Sequence, residues 1–219
     1  MSESIDGYKT IEKQSESEHK AKGSKFLGYL LPMKQESELA DILKNIKSMH
    51  PKAGHHCYAY RLKDTNAFRY NDDGEPSGTA GKPIYNQILS SELVDACCVV
   101  VRYWGGTKLG TSGLISAYKE GARLAIDDAI ILQKYEQAQL DIHFDYAIMG
   151  QLMESIKKLN IEIVDKSFDS DPKLTISTRA SELTTAIIKI KADLLNRPTE
   201  DVSDDDTIDG IRFGDNKDD

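Results

Sequence analysis

Hydrophobic and polar positions alternate with different periods along the chain, and each change of period marks an element. Tyr8 to Gln14 and Lys25 to Leu31 read as strands, with the polar run Ser15 to Ser24 as the connection of a hairpin. From Glu36 onward, Leu39, Ile42, Leu43, Ile46 and Met49 recur at spacings of three and four, which predicts a helix stopped by Pro51. His55 to Leu62 and Ala67 to Tyr70 follow as strands joined by a turn over Lys63 to Asn66. Pro83 suits a first helical turn, and Ile84, Ile88 and Leu89 mark a short helix ending near Ser90. Val94 to Val101 is almost wholly apolar, the pattern of a strand buried on both faces. After Gly113, the positions Leu114, Ala117, Tyr118, Gly121, Ala122 and Ala125 give the inner stripe of another helix. Thr111 or Ser112 is expected to accept from its first-turn N–H groups.

A polar connector, Tyr135 to Ala138, separates this unit from a second one. There the pattern runs strand (Leu140 to Phe144), helix (Met149 to Leu159), strands (Ile161 to Val164 and Leu174 to Thr178) and helix (Ser181 to Leu195). That order is most of a ferredoxin-like split unit, whose last strand has to come from residues 197 to 213. The reading is therefore an α+β chain with domains at 1–134 and 139–199. An acidic, flexible tail is expected over 200–219.

Composition narrows the class. With 39% hydrophobic and 29% charged residues, the chain is neither collagen-like nor wholly disordered. Its longest apolar run, Ala96 to Val101, is far short of the ~20 residues that cross a bilayer, so no membrane partner is expected. The start of the chain is polar and acidic, unlike a secretory signal, and Cys57, Cys97 and Cys98 are odd in number with a vicinal pair. Reduced thiols and a cytoplasmic location follow as expectations. The net charge of −8 is unevenly spread: residues 200 to 219 hold nine acids against Arg212 and Lys217. The remaining body is nearly neutral, so a locally basic face is compatible with the acidic total.

Three stretches carry candidate chemistry. Between the buried strand and the helix lies Gly105 to Gly113, where glycines, a helix N-terminus and Lys108 suit a phosphate. Neither the nucleotide P-loop nor the dinucleotide fingerprint is present, and a purely structural turn is the alternative. The run Asn71 to Pro83 offers Asp72, Asp73, Glu75 and Lys82. Those carboxylates can hold Mg²⁺, serve acid–base chemistry or bond a ligand hydroxyl, but Asp, Gly, Ser and Pro are also the residues of a turn, which is the stronger reading. In His55-His56-Cys57, strand alternation puts His55 and Cys57 on one side and His56 on the other, which argues against a shared metal. No metal and no cofactor are expected.

His50 to Arg61, Asp72 to Pro83 and Val99 to Tyr118 together resemble the IMPACT/YigZ family, the similarity running from about Lys22 to Leu124. Gly54, Val101, Trp104 and Ser112 depart from the usual pattern, and no charged motif residue is lost. The resemblance implies an amino-terminal α+β domain similar to the second domain of ribosomal protein S5, followed in bacterial members by a ferredoxin-like domain. Eukaryotic members regulate translation initiation by competing for the activator of a starvation-sensing kinase. A chain of the bacterial two-domain type does not inherit that partner, and the resemblance supplies no catalytic residue.

The leading expectation is a regulatory, translation-associated protein whose first-domain cleft recognises phosphate-bearing nucleic acid, either RNA or a ribosome-associated complex. Lys82, Arg102 and Lys108 are expected to meet phosphates, Gly105, Gly106, Thr111 and Ser112 to close around one, and Tyr103 or Trp104 to stack. His55, His56, Asp72, Asp73 and Glu75 complete the cleft. The alternative is an enzyme acting on a small phosphorylated metabolite or nucleotide through His56, Asp73 or Glu75. A third reading has the acidic tail docking a basic protein partner.

Overall fold

A computed structural model describes residues 6–64 and 66–214. The chain divides into two compact units, one over Tyr8–Lys134 and one formed mainly by the chain from Tyr135 onward.

The amino-terminal unit runs β1 (Gly7–Ile11), β2 (Ser15–Ala21), β3 (Ser24–Pro32), α1 (Leu39–Met49), β4 (His55–Arg61), β5 (Phe68–Asn71), α2 (Gly81–Ser90), β6 (Ala96–Tyr103), α3 (Gly110–Asp127) and β7 (Ile131–Tyr135). Five strands form one antiparallel sheet in the order β2-β3-β6-β4-β5. β6 lies at its centre and is buried from Ala96 to Arg102, as its unbroken apolar run predicts. Alternate side chains of β6 enter two separate cores. Cys97, Val99 and Val101 join Ile46 of α1 on one face. Ala96, Cys98 and Val100 join Ile84 and Ile88 of α2 and Tyr118 of α3 on the other.

The expected hairpin between Tyr8–Gln14 and Lys25–Leu31 does not form. β3 pairs instead with β2, which is the run assigned to a connection, while β1 pairs with β7. The reason is physical: β2 is an edge strand, and two of its inward positions are serines rather than apolar residues. Ser15 Oγ donates to the Ala125 carbonyl at 2.6 Å and Ser17 Oγ to the Gly121 carbonyl at 2.8 Å, both on α3. Small residues are required here because a Cβ on Gly28 of β3 would lie 2.4 Å from the Gly121 oxygen.

The second unit runs β8 (Gln137–Phe144), α4 (Met149–Lys158), β9 (Glu162–Ser167), β10 (Lys173–Arg179), α5 (Leu183–Leu194) and β11 (Ile211–Phe213). Its antiparallel sheet has the order β11-β8-β10-β9, the ferredoxin-like arrangement. Two expectations need correction. Gln137 and Ala138, read as connector, already pair with Arg179 and Thr178. The chain beyond Glu200 is not simply a solvated tail, because Ile211 pairs with Phe144 and Phe213 with Ile142. Apolar Ile211 and Phe213 pack on the core of this unit. Cations also hold the acidic stretch: Lys191, 5% exposed, donates to the Asp204 carbonyl, and Arg197 meets Asp206 at 3.3 Å. Residues 215–219 of the expected tail, and the polar start over 1–5, lie outside the described residues. Among the described residues no helix is long and apolar enough to cross a membrane.

Candidate nucleic-acid interface

β4 sets the geometry. As alternation predicts, Cys57 and Ala59 point into the α2–α3 core, while Tyr58 and Tyr60 point into the α1 core. His55 Nδ1 donates to the Asp73 carbonyl at 2.8 Å, which leaves its Nε2 facing Glu75 Oε1 at 3.8 Å. His56 Nε2 donates to the His50 carbonyl at 3.2 Å, and its backbone N–H donates to Asp73 Oδ2 at 2.7 Å. Burial holds the His56 imidazole below its ordinary value, against a smaller opposing effect of the His50 carbonyl and the Asp73 charge.

The loop between β5 and α2 is built on its own carboxylate. Asp72 Oδ1 accepts from the N–H groups of Ala80 and Gly81, and Oδ2 from Gly78, at 2.8 to 2.9 Å. Ala80 and Gly81 are the N-cap and first residue of α2, so Asp72 caps that helix, while its bond to Gly78 closes the loop ahead of it. The Cys57 thiol donates to the Asp72 carbonyl at 3.0 Å, and burial pushes its pKa well up, making it an inert group. Glu75 enters the interior and accepts from Arg102 Nη1 at 2.6 Å and from the Tyr118 hydroxyl at 2.7 Å. The Arg102 guanidinium also lies 5.6 Å from the centroid of the Phe26 ring.

The three signature stretches therefore meet, but their meeting point is filled by their own bonds. Arg102, expected to contact a phosphate, is 7% exposed and neutralised by Glu75. Tyr103 is partly buried against the α1 core with its ring beside that of His50, its hydroxyl bonding His50 Nδ1 at 3.0 Å while Tyr29 holds the other ring nitrogen at 2.6 Å. Gly105 closes on protein rather than on a ligand: its N–H donates to Ser24 Oγ, and a Cβ there would strike the Gly23 backbone at 1.8 Å. Lys82 lies away from this network, in a groove with Pro83, Ile115 and Lys119.

What stays open is the start of α3. Gly106 takes a left-handed φ of +84° with open space around it, and Trp104 is 66% exposed. Lys108 is exposed and makes no ion pair among the described residues. Thr111 and Ser112 do not cap the helix; they lie exposed within its first turn, whose N–H groups have no side-chain cap among the described residues. Lys119 lines the same groove as Lys82 and Ile115, although no motif in the sequence marks it. No cluster of three or more His, Cys, Asp or Glu suited to a metal occurs among the described residues.

Comparison with known proteins places this geometry. Residues 22–126, which contain the whole network, match the Impact N-terminal domain. A Haemophilus influenzae protein described as an IMPACT family member is 34% identical over 177 residues, covering 76% of this chain and 86% of the relative. The chain belongs to the IMPACT family. The IMPACT family member YigZ of Escherichia coli is 28% identical over 165 residues, covering 74% of this chain and 81% of YigZ. A crystal structure of a hypothetical protein shares the fold with a TM-score of 0.63 at 22% identity, covering 98% and 100% of the two chains. For this IMPACT family member, the α+β architecture and its two-unit organisation agree with the fold expected from the resemblance.

Proposed function

We propose that this IMPACT family member is a translation-associated regulatory protein that binds phosphate-bearing RNA at the start of α3. The translational context comes from the family resemblance, and the ligand class from one local observation. Among the described residues no side chain bonds the N–H groups at the start of α3 and Lys108 has no ion pair, and this helix start follows an exposed glycine turn and the exposed indole of Trp104. Helix N–H groups and the Lys108 ammonium attract a phosphate oxygen together, and Trp104 offers a ring to the adjacent base. The burial of Arg102 moves the expected contact away from the β6 terminus and onto the loop itself. The enzyme alternative has less support, because its three candidates are engaged within the protein: Glu75 by Arg102 and Tyr118, Asp73 by the His56 backbone N–H, and the His56 ring by the His50 carbonyl.

Fluorescence anisotropy with a labelled RNA oligonucleotide tests the reading. Affinity is expected to fall steeply with salt, and Lys108→Ala to reduce the log–log salt slope by about 1. Salt-independent binding, or none at low ionic strength, refutes it.

A further inference from the structure

A second exposed surface, on the free edge of the sheet, bears on which form of RNA fits. β5 is the last strand of the sheet, and Tyr70 pairs opposite Ala59, which points into the α2–α3 core. Phe68 and Tyr70 therefore share the α2 side of the edge. Both are exposed, at 54% and 41%. Each lies against Tyr85 of α2: Phe68 stacks at 4.8 Å between ring centroids with 25° between planes, and Tyr70 lies at 6.0 Å and 35°. Tyr85 packs inward against the core, so it anchors the two outer rings.

Cations adjoin this cluster. Lys82 precedes Tyr85 by three positions on α2, so the two side chains are neighbours on the helix surface. Lys82 also lines a groove of about 590 Å³ between α2 and α3, with Asn86, Gln87, Ile115 and Lys119. Neither Lys82 nor Lys119 is ion-paired among the described residues. Acids close to them in sequence are already engaged: Asp72 by three N–H groups, Asp73 by the His56 N–H, Glu75 by Arg102 and Glu120 by Arg123. Exposed π faces followed by unopposed ammonium groups are the combination that holds a single strand, with rings taking bases and lysines taking phosphates. A duplex offers no free base face to such rings, and an acidic peptide would need the cations but not the rings.

We infer that the β5–α2 edge is a single-strand RNA surface, on which bases stack on Phe68 and Tyr70 while the backbone passes Lys82 toward Lys119. The inference rests on the proposed RNA binding and adds that the ligand is unpaired RNA read partly through its bases. The test compares a labelled single-stranded RNA, its duplex and an abasic ribose-phosphate oligomer of equal length by anisotropy. Phe68→Leu keeps the apolar contact with Tyr85 and removes the π face, and thermal unfolding confirms its fold. It is expected to weaken single-strand binding roughly 5- to 100-fold, with the salt slope and abasic binding unchanged. Lys82→Ala is expected to lower the salt slope by about 1. If Phe68→Leu and Tyr70→Leu both bind the single strand like the wild type while Lys108→Ala weakens it, the edge surface is wrong and the α3 reading stands. Equal affinity for abasic and normal RNA also overturns the edge surface. Absence of any RNA binding by the wild type removes both.

Discussion

At the scale of single residues, Glu75 and Arg102 dominate the amino-terminal unit. Their side chains are 4% and 8% exposed, and both charges have left water. Such a pair adds little net stability over a well-packed apolar one, yet removing one partner strands the other and costs about 3–5 kcal/mol. Glu75→Ala is expected to destabilise the unit by that order in urea unfolding, and Glu75→Gln by less, since an amide oxygen still accepts from Arg102 and Tyr118. The imidazoles of His50 and His56 act through pH. Burial holds both below 6.5 in the folded state, so the unfolded chain takes up protons first as pH falls. Stability is complete above that value and declines below it, by at most ~1.4 kcal/mol per pH unit per imidazole, until the folded-state value is passed. Thermal midpoints between pH 7.5 and 5.5 check this, and His56→Gln should flatten the decline. The charges of Glu75 and Arg102 were legible in the sequence, but their pairing was not. They stand 27 positions apart, and nothing local says that a carboxylate in a turn-like run will enter the core.

Among elements, α2 depends on a residue outside it. Asp72 lies nine positions before Gly81, the first residue of the helix, yet its carboxylate takes the N–H groups there. Asp72→Ala is expected to cost roughly 2 kcal/mol, at the upper end for a helix cap, and to speed amide exchange at Ala80 and Gly81. Asp72→Asn retains an acceptor and should cost less. Helix stripes and the central strand were readable because their apolar periods answer to one buried face or two. β2 was not, since its inward Ser15 and Ser17 pair with carbonyls of α3, and such bonds leave no hydrophobic period. The candidate site divided in the same way. Glycines and lysines of the α3 start could be read from composition, whereas the engagement of Gly105 by Ser24 arises from a contact 81 positions away.

For the molecule as a whole, each unit carries its own hydrophobic cores. The carboxy-terminal sheet closes with β11, so truncation after Gly210 removes the edge partner of β8. Hydrogen exchange is expected to accelerate in that variant at His143, whose N–H faces β11 because the neighbouring Phe144 N–H donates the other way, to the Pro172 carbonyl, while amides of β6 in the other unit keep their protection. In β6 itself, adjacent Cys97 and Cys98 are fully buried on opposite faces. The chain thus comes with a built-in pair of chemical stopwatches. Alkylation of Cys97 times the detachment of α1, and alkylation of Cys98 times the lifting of α2 and α3. Peptide mass mapping of the labelled thiols can therefore tell which layer of the sandwich breathes first.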